Sequence, residues 1–200
     1  MAAAPSCRSR CRWPIPWTGE VAGTDRLCDD DDVTPSTGRL LIATPNIGDS
    51  IFSRSVVLLL DHGDEGSAGV ILNHPTNLTV EELDLGLGDA VSQPAVVFDG
   101  GPVERHGLLG VTRDADGSPR PADLDLEAAD LVPLRLFAGY AGWAPGQLDG
   151  EIDDDAWWVV DRADVDVLDG DPADLWFRLV ARFDDRRSWL RTVPDDPAVN

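Results

Sequence analysis

Gln147 and Glu151 stand four residues apart, just beyond Gly139-Tyr140-Ala141-Gly142-Trp143-Ala144-Pro145-Gly146. On a helix that spacing places an amide and a carboxylate on one face. With the Trp143 indole nearby and glycines that expose backbone, they could line a small polar pocket. A structural role competes with this. In it Trp143 plugs the core with its N–H on a loop carbonyl, Gln147 caps loop backbone, and Glu151 faces water. Three further groups carry polar chemistry. His62 lies between Asp61 and Asp64-Glu65, a ligand mix that metals accept, yet residues 61–66 also read as a plain polar hairpin turn. Asn73-His74-Pro75 closes a strand; His74 could move a proton near neutral pH, or simply face solvent. Gly100-Gly101-Pro102 could form a backbone nest for an anion, but Asp99 directly before it would repel one, and paired glycines also serve a tight turn.

Nucleophilic catalysis has little to work with. The three cysteines, Cys7, Cys11 and Cys28, all precede residue 29 and match no zinc spacing. No serine lies in a Gly-x-Ser-x-Gly elbow; Gly66-Ser67-Ala68-Gly69 is only an echo of one. Gly86-Leu87-Gly88 lacks the third glycine and the strand-to-helix context of a dinucleotide loop. The candidate binding residues are therefore Asn73, His74, Gly100, Gly101, Trp143, Gln147 and Glu151, with His62 beside them in a ligand-binding reading. No residue is assigned a catalytic role, and no metal or cofactor is expected.

Composition narrows the partners. The net charge is −21, and every one of the sixteen basic residues is arginine. Two origins compete: codon usage in a GC-rich genome, or a high-salt interior in which an acidic surface maintains solubility. Under either, a nucleic-acid binder is not expected, because such proteins present a basic face to phosphates. The one arginine cluster, Arg182, Arg186, Arg187 and Arg191, has Asp184 and Asp185 inside it. No apolar run reaches the ~18 residues that span a bilayer, so no membrane association is expected. Cysteine usage fits a reducing cytoplasm.

The elements that must position these residues begin at Gly38. Residues 1–36 combine scattered arginines, prolines and a run of aspartates, and read as a disordered tail or a start codon placed too far upstream; 37–200 read as one domain. Strands are predicted over 39–44, 55–60, 68–72, 95–98, 108–112, 134–138, 157–160 and 165–168. Pro75 is expected to stop whatever follows 68–72. Thr79 and Glu82 form a capping box, with Leu78 and Leu83 as its staple, opening a short helix. Residues 114–133 are ambiguous. The glycine-rich segment is predicted to leave its strand after Ala138, turn sharply, and start a helix at Pro145. Asp171 and Pro172 open a last helix whose apolar face is Leu175, Trp176, Leu179, Val180 and Phe183. Strands without regular helical alternation favour α+β.

Four ordered segments carry a family likeness. They are Gly38-Arg39-Leu40-Leu41-Ile42-Ala43-Thr44-Pro45 with Asp49 and Phe52; His62 through Gly69 to Asn73-His74-Pro75; Gly100-Gly101-Pro102-Val103; and the glycine-rich segment running on to Glu151 and Trp157. Over about residues 37–194 the chain resembles the YqgE/AlgH family of small bacterial proteins. The resemblance implies an α+β fold with a small β-barrel and a bifurcated sheet flanked by short helices. It implies no assigned biochemical activity; the family's label as a transcriptional regulator stems from a regulatory association in one lineage. Two departures stand out. His74 occupies a position usually basic, and 113–133 is shorter than in relatives, with a reduced helix before the following strand. The expected function is a cytoplasmic, non-catalytic regulatory or protein-interaction domain, its partner docking near Trp143 and the two turns. The alternative is a small-molecule or nucleotide-binding protein with weak hydrolase activity. Oligomeric state is not legible.

Overall fold

Residues 40–43, 56–60 and 70–72 are buried at every position because both faces of the sheet they build are covered. The computed structural model describes residues 36–48, 50–162, 168 and 171–183. In chain order its strands and helices are β1 (Leu40–Ala43), β2 (Val56–Gly63), β3 (Gly66–Ile71), β4 (Pro75–Thr79), β5 (Val96–Asp99), β6 (Val103–Arg113), β7 (Pro119–Ala122), β8 (Arg135–Trp143), α1 (Gln147–Asp153), β9 (Trp157–Val160) and α2 (Leu175–Val180). The nine strands form one mixed sheet, ordered β4-β5-β8-β3-β2-β1-β9, with β6 on β8 and β7 on β6. The sheet curls into a half-barrel with few helices, an α+β arrangement.

Alternation sorts the central side chains. Leu40, Ile42, Val56, Leu58, Leu60, Val70 and Leu72 share one core with Leu175, Trp176, Leu179 and Val180 of α2. Leu41, Ala43, Val57, Leu59 and Ile71 point the other way, into a core closed by Leu148 of α1, Trp143, Trp157 and Phe52. Burial on both faces explains why these strands read as unbroken apolar runs rather than alternating ones. The Trp176 indole donates to the Ala43 carbonyl at 2.9 Å, tying α2 to β1. A third core lies around Val80, Leu87, Ala90, Val91, Leu131 and Leu134, under the connections flanking β5 and β8.

Several expectations are corrected. Pro75 does not end order; it opens β4, which among the described residues is an edge strand paired with β5 alone, where a missing N–H is tolerated. Thr79 ends β4 instead of capping an α-helix. Glu82 does reach back to the Thr79 N–H (2.9 Å) and hydroxyl (2.6 Å), but only a 3-10 turn, Glu81–Leu83, follows. Val80 is held to the Ala95 carbonyl at 3.0 Å, so the chain stays near the sheet, and Leu78 is exposed rather than stapled. β8 does not end at Ala138 but runs through Gly139 and Gly142 to Trp143. α1 begins at Gln147, with Gly146 in the left-handed region before it, so Pro145 lies in the turn and not in the helix. α2 begins at Leu175; Asp171 instead accepts from the Ala173 N–H at 2.9 Å in the preceding turn. The ambiguous segment holds β7 and a 3-10 turn, Ala128–Leu131, in place of a longer helix. The strand predicted over 165–168 lies outside the described residues except for buried Leu168.

Candidate functional site

The two glycine motifs turn out to be halves of one joint. β5 runs parallel to β8, ending at the pair Asp99↔Ala138, while β3 runs antiparallel to β8 at Gly69↔Ala141. Gly100 sits where β3 and β8 part. Its N–H donates to the Ala138 carbonyl at 2.9 Å, and its carbonyl accepts from the Ile71 N–H at 3.0 Å. One residue thus stitches both limbs of the fork in the sheet. There is no room for a side chain. A Cβ on Gly100 would lie 2.3 Å from the Gly139 oxygen, and one on Gly101 (φ 144°) 2.4 Å from the Ala141 nitrogen. Gly139, at φ 70°, faces the Gly101 and Val103 carbonyls just as closely, at 2.6 and 2.7 Å. Only glycine allows backbones to cross at this separation. Asp99 secures the turn: Oδ1 accepts from the Gly101 N–H at 3.2 Å, and Oδ2 pairs with the Arg105 guanidinium.

Asn73 and His74 adjoin this joint. Asn73 Oδ1 accepts from the Val56 N–H at 2.8 Å and its Nδ2 donates to the Arg54 carbonyl at 2.9 Å, so both ends of the amide hold the entry of β2. His74 Nε2 lies 3.3 Å from the Ser55 hydroxyl, and its carbonyl accepts from the Asp99 N–H at 2.8 Å. Burial pushes the His74 imidazole below its usual range, outweighing the Asp99 carboxylate, which acts in the opposite sense.

Trp143, Gln147 and Glu151 form a second group, at the other end of β3. Glu151 Oε2 accepts from two indoles, Trp143 Nε1 and Trp157 Nε1, each at 2.8 Å. Its Oε1 accepts from Gln147 Nε2 at 2.9 Å, and Gln147 Oε1 accepts from the Ala144 N–H at 3.0 Å. The helical face anticipated from the four-residue spacing therefore exists. It clamps aromatic residues through a carboxylate rather than a loop carbonyl. Phe52 completes the packing, with its ring centroid 6.3 Å from Trp143 and 5.5 Å from Trp157.

The two groups are joined by the turn that carries Phe52, Arg54 and Ser55. Along β3 they are separated: Ser67 pairs with Trp143, whereas Ile71 bonds Gly100, about 13 Å away at strand rise.

Sequence reasoning did not foresee a third arrangement. Across the β2–β3 hairpin, His62 Nδ1 lies 2.7 Å from the Ser67 hydroxyl, and His62 Nε2 lies 4.0 Å from Asp149 Oδ1 on α1. Ser67 is only 4% exposed and belongs to strand β3, not to an elbow that would present its oxygen. The signal was the hairpin itself, which makes His62 and Ser67 cross-strand partners. Among the described residues no group of three or more His, Cys, Asp or Glu side chains is arranged to hold a metal ion.

Gly100-Gly101, Gly139 and Asn73-His74, which meet at this joint, belong to three of the four segments on which the likeness rested. Residues 40–187 match the AlgH-like family model. The chain belongs to the AlgH-like family. A relative from Streptomyces avermitilis, named a UPF0301 protein, is 42% identical over 188 residues, covering 84% of this chain and 97% of its own. The crystal structure of a Corynebacterium diphtheriae protein superposes with a TM-score of 0.71 at 27% identity, over 80% of this chain and 93% of that one. The solution structure of AlgH from Pseudomonas aeruginosa gives 0.59 at 25% identity, over 84% and 100%. The matched residues span both glycine motifs and the Glu151 clamp. No helix among the described residues is long and apolar enough to cross a membrane.

Proposed function

We propose that this AlgH-like chain is a non-catalytic, cytoplasmic protein-interaction domain with a regulatory role. One observation carries the reading: the polar groups of the family motifs already bond one another or the backbone. Both ends of the Asn73 amide, both ends of the Gln147 amide and both oxygens of Glu151 already have partners. Gln147 is exposed and Asn73 and Glu151 are half-buried, and a ligand would still have to break those bonds to use them, at ~0.5–1.5 kcal/mol each and ~1.5–3 kcal/mol where the Glu151 carboxylate accepts. What remains available for recognition is the surface. Photo-crosslinking of the full chain in its own cytosol tests this. The reading expects at least one discrete adduct, and a chain that yields none from any exposed position would contradict it.

The second reading, a small-molecule or nucleotide binder with weak hydrolase activity, draws on two hydroxyl–imidazole pairs, Ser67 with His62 and Ser55 with His74. Both hydroxyls are buried, at 4% and 0% exposure. A thermal-shift screen against nucleotides and metabolites, run beside an activated-ester assay, decides it. A ligand-induced rise in melting temperature that is lost in Ser67→Ala or His74→Gln would establish that reading over the first.

A further inference from the structure

Five large apolar side chains stand exposed among the described residues, and four of them lie on the segments that build the third core, each within two residues of a side chain that packs in it. Leu85 is 46% exposed, Val132 59%, Leu126 45% and Leu78 40%. Tertiary structure brings these segments together from distant sequence. The turn Gly88–Ala90 packs on the turn Ala128–Leu131; the Leu134 N–H donates to the Ala90 carbonyl at 2.8 Å, and Ser92 N–H to the Leu134 carbonyl at 2.8 Å. Beneath them Leu83 and Leu124 lean on the same buried cluster of Val80, Leu87 and Leu131. Apolar surface gathered in one place marks a recognition site more often than scattered leucines do.

The charge around it is one-sided. Residues 81–89 and 123–130 each contribute four exposed carboxylates, Asp84, Asp89, Glu127 and Asp130 among them. Neither 77–104 nor 121–134 contains an arginine, and the chain has no lysine. Some carboxylates elsewhere are paired with arginines, as in Arg105–Asp99, Arg120–Asp114, Arg178–Asp174 and Arg39–Asp161. Here no ion pair among the described residues involves these acids.

We propose that this face docks a basic amphipathic segment of a partner protein. The segment's apolar side covers Leu85, Leu126 and Val132, and its lysines or arginines meet the surrounding carboxylates. The inference rests on the protein-interaction reading and moves the docking surface from Trp143 to the third core. Apolar anchors supply the affinity, and the acidic rim supplies encounter rate and selection against acidic competitors.

The test uses the full chain and a synthetic 18-residue leucine–lysine peptide with helical amphipathic patterning, beside its scramble. The double variant Leu85→Ser/Val132→Ser removes anchors. The variant Asp84→Asn/Asp89→Asn/Glu127→Gln/Asp130→Asn removes the rim. A control neutralises Asp61, Asp64, Asp153 and Asp154, which lie elsewhere. Seven of the eight carboxylates are exposed and Asp61 is half-buried, so folding is expected to be retained and is checked by circular dichroism. We expect each of the first two variants to weaken the peptide by about tenfold or more, and the control by less than about twofold. Equal weakening by rim and control variants, or a scramble that binds as well, would mean diffuse attraction to a protein of charge −21 and would overturn the proposal. A photo-crosslinker at Leu85 and another at Ala144 separate the two readings in cytosol. Capture of a basic segment through Leu85 supports this surface. Capture only through Ala144, or of a segment lacking basic residues, overturns it while the interaction reading stands; no capture anywhere defeats both.

Discussion

Glu151 concentrates the energetics of the family signature on one side chain. Two indole N–H groups and one amide converge on its carboxylate. Glu151→Ala leaves those donors without their acceptor, and hydrogen bonds to charged groups are worth ~1.5–3 kcal/mol each. Urea unfolding should therefore show a loss of about 3 kcal/mol or more, with Glu151→Gln, which keeps an acceptor, losing about half of that. His74 predicts a pH dependence. Its folded value lies below the usual 6.5 because burial disfavours the cation. As pH falls through 6.5 the unfolded chain takes up the proton first, so stability is lost between 6.5 and the lower folded value. Above 6.5 the contribution is complete. His74→Gln should flatten this part of the stability–pH curve; an unchanged slope in paired melts at pH 5.5 and 7.5, both chosen as roughly bracketing the transition, would contradict the assignment.

At the scale of elements, the fork between β3 and β8 sets what each glycine tolerates. Gly100→Ala and Gly139→Ala drive a methyl into backbone oxygens, at 2.3 and 2.6 Å, and Gly139 adds a left-handed φ. Neither backbone can yield without parting the sheet, so both variants should lose more than about 4 kcal/mol or fail to accumulate folded. Gly150 lies within α1, and a Cβ there meets nothing within 4 Å. Gly150→Ala should instead stabilise by about 0.5–1 kcal/mol, read as a higher melting temperature. The contrast separates glycines required by backbone crossing from one that only weakens a helix. The same joint explains why the glycine-rich segment misleads a local reading. Glycine weakens an ordinary strand, but here β8 continues through it because β6 and the Gly100-Gly101 turn need its backbone bare.

At the scale of the molecule, a charge of −21 on 200 residues repels itself. Salt screens that repulsion, with a Debye length of ~3 Å at 1 M against ~10 Å at 0.1 M. Raising sodium chloride across that range should raise the melting temperature, and peptide binding at the third core should weaken over the same range. A protein whose thermal stability ignored salt would not be limited by surface repulsion. Calorimetry and titration in the same buffers give both readings.

Local sequence determined the central strands, because residues 40–43 and 56–60 are too apolar to be anything but covered on both faces. It also determined the four-residue pairing of Gln147 with Glu151, since helical period follows from the backbone, and it carried the family likeness. Tertiary structure decided what those residues do. Whether Glu151 faces water, a ligand or two indoles depends on where Trp157 arrives, six residues later but on a strand at the far edge of the sheet. Whether Gly100-Gly101 is a nest or a crossing depends on β8, some forty residues away. Pro75 and Thr79 were misread because pairing with β5 outweighs a proline and a capping box when the strand lies at an edge. The acidic apolar face has no signal in sequence at all: the segments that carry Leu85 and Val132 are brought to one core only by the meeting of two short turns, since burial is a property of the packed chain and not of any window along it.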